Sequence, residues 1–131
     1  ARQWDRAVDY GRQQLRLATR QYSHYMQVIA LWNLARPLAR SHRPDLAARL
    51  IAFSLTDWQR HFGEMSASDW AYVAKVRRLV RAQSDEQRTS TWWEEGIRMS
   101  LDEAVQLVLS ETPATPAPPA RRATDRPRVR P

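Results

Sequence analysis

Six of the eight prolines in this 131-residue chain fall within its last twenty residues, so residues 1–111 carry only two. Glycine is nearly as scarce there, with three, at positions 11, 63 and 96. These two residue types interrupt helices most strongly, and no stretch alternates apolar and polar residues over strand length. A chain with so few breaks and no period of two is left with helices. The expected class is all-α.

Residues 112–131 add five arginines and one aspartate to their prolines and hold no aromatic residue. Such a segment cannot bury enough apolar surface to offset its conformational entropy, and is expected to be a disordered Pro/Arg-rich tail. It also carries most of the charge. Residues 1–111 set sixteen cationic side chains against thirteen anionic ones, so the whole-chain net of +7 and pI of 10.9 are largely properties of the tail. Cysteine is absent, which excludes disulfides and thiolate metal sites. No apolar run approaches the ~20 residues needed to span a membrane, so no membrane partner is expected. Residues Ala1 to Arg6 lack the apolar core of a signal peptide, and the expected location is cytoplasmic. A single lysine beside twenty arginines points to a GC-rich bacterial genome. The sequence opens inside what reads as a helix, as expected of a piece of a longer protein.

About six helices are expected. The first, over 3–20, has a pattern weakened by Gly11 and polar residues. In the second, over 22–40, Val28, Leu31, Leu34, Ala35 and Leu38 share a face at 3.6-residue spacing, and Pro37 predicts a kink or an early end. Pro44 suits the first position of a third helix. Its stripe of Leu46, Ala47, Leu50, Ile51, Ser54, Leu55, Trp58 and Phe62 ends at Gly63. Ser66 to Asp69 opens a fourth helix, to about Gln83, whose buried arc is Tyr72, Val73, Val76, Leu79 and Val80. Short helices at 85–95 and 100–111 follow. Gly96 can end the first of these in the left-handed conformation, and Ser100 with Glu103 forms a capping box for the second. Leu101, Val105 and Val108 give that last helix an apolar face. Asp102, Glu103, Gln106 and Glu111 give it a wet one.

Short paired helices raise the question of repeats. Asn33, Leu34, Ala35, Leu38, Ala47 and Ile51 fit the alternation of small and large residues in a tetratricopeptide-like pair, and Ala7-Val8 matches Ala47-Ala48 at an offset of 40. The segment Trp93-Glu94-Glu95-Gly96-Ile97-Arg98-Met99-Ser100-Leu101-Asp102-Glu103-Ala104, with Leu46 to Leu50, Trp58, Phe62-Gly63 and Ser66 to Asp69, resembles the C-terminal helical repeats of bacterial STAND-type signal-transduction ATPases. These are transcriptional regulators of the LuxR and SARP kind. The likeness covers roughly residues 4–111 and is distinctive over 46–110. It implies a tetratricopeptide-like domain over 1–111, built of antiparallel helix pairs at the end of a right-handed solenoid.

Three constellations bear on function. Asp57, His61 and Glu64 lie at i, i+4 and i+7, the spacing of one helix face, but Gly63 interrupts before Glu64 and no second histidine is near in sequence. His61 in a last helical turn suits the helix dipole, His24 and His42 stand alone, and no metal ligand is assigned. A candidate basic face is Trp70, Lys75, Arg77, Arg78 and Arg81, an aromatic and cationic stripe of the kind that binds phosphate backbones or simply solvates a helix. A candidate partner groove is Tyr25, Ile29, Trp32, Arg36 and Arg40, where tryptophan and arginine are the residue types enriched at interface hot spots. Its two arginines suit an acidic peptide group.

No catalytic residue and no cofactor are expected, since no phosphate-binding loop and no convergent polar site occurs. The expected function is a non-catalytic interaction and sensing module. It would stand at the C-terminal end of a larger ATP-dependent regulator, with a protein or that regulator's other domains as partner. The alternative is a small basic protein binding nucleic acid through the tail and the helix at 66–82.

Overall fold

Ser23, Ser66, Asp85 and Ser100 each accept a hydrogen bond from the backbone N–H three residues ahead, and each starts a helix. Together with Pro44 at a first helical position, these starts organise the computed structural model, which describes residues 2–110. The six helices are α1 (Arg2–Arg20), α2 (His24–Arg40), α3 (Pro44–His61), α4 (Ala67–Ala82), α5 (Glu86–Arg98) and α6 (Leu101–Leu109). No strand occurs among the described residues. Glu111 and the tail expected over 112–131 lie outside them.

The first two connections are the same turn. At the end of α1, Ser23 N–H donates to Ala18 O and Tyr22 N–H to Thr19 O. At the end of α2, Arg43 N–H donates to Leu38 O and His42 N–H to Ala39 O. This is the Schellman pattern, in which a left-handed residue reverses the chain and satisfies the last carbonyls. Tyr22 (φ 54°) and His42 (φ 64°) hold that left-handed position, where glycine is the usual occupant. Neither turn contains a glycine, and the helix boundaries expected after residues 20 and 40 nevertheless fall at them.

The expected stripe on α3 extends to other faces of the helix. Leu46, Ala47, Ala48, Leu50, Ile51, Ala52, Phe53 and Ser54 are all buried, because α2 packs on one side and α5 on another, with α4 beside them. Small residues permit this crowding, and Gly96 is the extreme case. It lies inside α5, two residues before the helix ends, so it does not stop the helix as expected. A Cβ there would meet the Arg49 carbonyl oxygen and lie 2.9 Å from Ala52 Cβ. The position is a helix crossing, pinned alongside by Arg49 Nε donating to Glu95 Oε1 at 2.8 Å. Gly11 serves α1 in the same way. Its missing side chain is replaced by Leu34 of α2, and α1 runs unbroken past it.

The capping box of α6, Ser100 with Glu103, forms as expected, and α4 opens on one as well, Ser66 with Asp69. Ala104, Val105 and Val108 of α6 are buried, and the helix turns back to lie against α1 and α2. Asp102, Glu103 and Gln106 face water. One apolar cluster runs through α1, α2, α3, α4 and α6, with Trp92 and Trp93 of α5 packed against it.

Two substitutions test this account. Gly96→Ala gains about 1 kcal/mol of helix propensity but overpacks a backbone contact, a cost of about 1–3 kcal/mol or more. The urea midpoint should fall. Tyr22 is 93% exposed, so Tyr22→Gly removes left-handed strain without removing packing, and the midpoint should rise by the equivalent of about 0.5–1 kcal/mol.

Candidate functional site

Proline has no N–H, so Pro37 cannot donate to the Asn33 carbonyl one turn earlier, and its ring crowds that oxygen. The helix nevertheless continues to Arg40. The adjacent rung of the ladder is bridged from outside. The Tyr72 hydroxyl, carried by α4, donates to the Trp32 carbonyl at 2.9 Å and accepts from the Arg36 N–H at 3.2 Å. A side chain entering the i to i−4 ladder is one of the recognised ways a helix accommodates a kink. Below the hydroxyl, the Tyr72 ring stacks on Trp32 with centroids 5.0 Å apart. Farther along, Gln83 Nε2 donates to the Ala39 carbonyl at 2.7 Å, so α4 satisfies α2 at two places. Burial raises the Tyr72 phenol above its ordinary value, against a smaller lowering by the Arg36 N–H and charge. The hydroxyl is thus held protonated, as the bridge requires.

Next to this joint lies a small apolar cleft of about 60 Å³, lined by Val28, Ile29, Trp32, Trp58, Met65 and Asp69. Such a volume suits the end of one apolar side chain, far below the ~300 Å³ and more of cofactor pockets. Tyr25 stands beside it, its ring 5.6 Å from Trp58 and 5.5 Å from Phe62. Of the five residues expected to line a partner groove, Ile29 and Trp32 therefore line a cleft, and Tyr25 adjoins it. Arg36 and Arg40 do something else. Their guanidinium carbons lie 5.3 and 5.7 Å from the centroid of the Trp4 ring, so α1 covers that end of α2 through cation–π contacts.

The far end of the same aromatic group holds a feature that sequence spacing does not reveal. Asp57, 6% exposed, sits near the end of α3. One carboxylate oxygen is 2.7 Å from His24 Nε2, and the other is 3.3 Å from His61 Nδ1. His61 Nδ1 also lies 3.2 Å from the Asp57 carbonyl. The two imidazoles meet at 4.8 Å between centroids, and Phe62 packs at 5.2 Å from His24. Glu64, placed with Asp57 and His61 by spacing, is exposed and outside the cluster. Its place is taken by His24, which is 33 residues away in sequence and is brought in by the antiparallel packing of α2 on α3.

The candidate basic face is partly neutralised. Arg77 and Arg81 each lie 3.1 Å from a Glu86 carboxylate oxygen, and Arg77 also stacks over Trp93 at 4.6 Å. The Glu86 carboxyl is held below its ordinary value, chiefly by the hydrogen bond from Arg77. Trp70, Lys75 and Arg78 remain exposed. A second cavity of about 170 Å³ lies between α1 and the end of α2, lined by Asp5, Val8, Asp9, Arg12, Leu38, Ser41 and Arg43. Arg12 Nε and Ser41 Oγ are buried there without a protein partner among the described residues, which makes the space polar on two sides.

Comparison with known protein families, curated proteins and solved structures returns no match for this chain. No helix among the described residues is long and apolar enough to cross a membrane.

The Tyr72 bridge has a pH signature. A phenol whose folded value is raised contributes stability that is complete below the unfolded value of about 10 and lost as pH rises through the folded one. The stability of the wild-type chain, read by chemical denaturation, should fall above pH about 10. Tyr72→Phe should cost about 1–2 kcal/mol at neutral pH, and its stability difference from wild type should shrink in alkali.

Proposed function

We propose that this chain is a non-catalytic interaction and sensing module, the C-terminal helical-repeat end of a larger ATP-dependent bacterial transcriptional regulator. The observation that carries the binding half of this reading is the cleft between Ile29, Trp32, Trp58 and Met65, with Tyr25 at its side and Asp69 on its lining. Aromatic walls around a space of side-chain size are what an anchoring residue of a partner segment needs. The Asp69 carboxylate favours a segment with a cation near its apolar anchor. The regulator half rests on the likeness of Trp93 to Ala104. There Gly96 allows α5 to cross α3, Ser100 and Glu103 cap α6, and Ala104 is buried. A helical stack ends on a helix with a polar outer face, and Asp102, Glu103 and Gln106 supply that face on α6.

Binding at the cleft would bias the regulator between two states by as much as its affinity differs between them. Trp58→Ala in the regulator carrying its ATPase region is expected to uncouple ATP turnover from inducer while leaving basal turnover in place. Unchanged inducer response, or an upstream coding sequence with no nucleotide-binding region, overturns the reading. The nucleic-acid alternative leans on Lys75, Arg78 and the arginines of 112–131, which lie outside the described residues. Binding of the full chain to duplex DNA that falls steeply with salt and vanishes on removal of 112–131 would favour it.

A further inference from the structure

The cluster at the α2–α3 end has the composition and the spacing of a metal site. Asp57 is a buried carboxylate. A carboxylate out of water is costly unless a charge pairs with it. Its ion-pair partners among the described residues are two imidazoles, His24 and His61, whose ring nitrogens are also the commonest metal-binding groups. The field of its own helix does not repair this, whereas the start of α2 at His24 favours a carboxylate. Asp57 lies in the C-terminal part of α3, where the macrodipole is negative.

We propose that His24 Nε2, Asp57 and His61 Nδ1 bind a divalent transition metal of the zinc class. One ligand atom from each residue lies within 4.8 Å of the others. Tetrahedral ligands at Zn–N distances of about 2.0–2.1 Å stand roughly 3.4 Å apart, so closing the set takes side-chain adjustment without movement of the helices. Two imidazole nitrogens with one carboxylate select zinc, cobalt, nickel or copper over magnesium or calcium, which prefer all-oxygen shells. His24 and His61 are the half-exposed partners and Asp57 the buried one, which leaves the remaining coordination position toward solvent. In the metal-free cluster the facing nitrogens donate protons to the carboxylate. On binding, a neutral ring moves that proton to its other nitrogen and a charged ring releases one, so the site takes up metal with each imidazole neutral. The ion would set a fixed positive charge against Asp57 and would tie the start of α2 to the end of α3.

The chain has three histidines and no cysteine, so few other residues compete for a soft metal. Titration of the full chain with Co²⁺ should give a saturable 1:1 visible absorption, displaced by Zn²⁺, with a dissociation constant of about 1 μM or tighter. Zn²⁺ should raise the thermal midpoint and EDTA reverse it. His24→Gln and His61→Gln should each weaken Co²⁺ binding by more than about tenfold with the far-UV circular dichroism unchanged. His42→Gln should not weaken it. Binding weaker than about 1 mM, or binding equally strong in the His24 and His61 variants, overturns the proposal. Should either variant lose helicity, competition of the wild-type chain against a zinc indicator decides instead: no uptake overturns the site, and stoichiometric uptake supports it.

Discussion

A helix with apolar residues on more than one face has to be enclosed by others, and α3 imposes that condition on the whole molecule. Its first half is buried from Leu46 through Ser54 with only Arg49 breaking the run, and α2, α4 and α5 are packed around it. Large side chains on every face would hold those neighbours too far apart to exclude water. Ala47, Ala48 and Ala52 keep α3 slender, and Gly96 lets α5 come within contact distance of its backbone. The close approach explains why Arg49 can do two jobs at once. Its carbonyl lies against Gly96, and its guanidinium leaves the crossing to meet Glu95 and Asp45.

That crowding also arranges the candidate site. With α2 pressed antiparallel along α3, the start of one helix meets the end of the other. His24 is thereby set against Asp57 and His61, and Tyr25 against Trp58 and Phe62. Polar and aromatic groups alternate over a few ångströms because consecutive residues on each helix end point to different neighbours. The metal-binding reading and the cleft reading thus concern adjoining parts of one surface, held by the same two helices.

Legibility in the sequence follows the distance over which each signal acts. The capping boxes at Ser66 and Ser100 are complete within four residues and can be read directly, as can the buried faces of α2 and α4. Gly96 has a local meaning, a helix stop, and a tertiary one, a crossing point, and the tertiary meaning governs because α3 lies against it. The turns at Tyr22 and His42 give no glycine signal at all, since residues with side chains carry the left-handed strain there. His24 is invisible to spacing arguments because its partners are 33 and 37 positions away. The contact of Arg36 and Arg40 with Trp4, more than thirty residues earlier, is likewise invisible to spacing.

The Tyr72 hydroxyl has a dynamic consequence. α4 buries only Val73, Val76 and Val80, so on apolar contact alone it would be among the first elements to open. Detaching it would also uncover the Trp32 carbonyl, the Arg36 amide and the Ala39 carbonyl in a helix already missing a donor at Pro37. Local opening of α4 is therefore coupled to loosening of α2. In native-state amide exchange the later amides of α2 should therefore open with those of α4 as one cooperative unit, and the first half of α3 should exchange only through global unfolding.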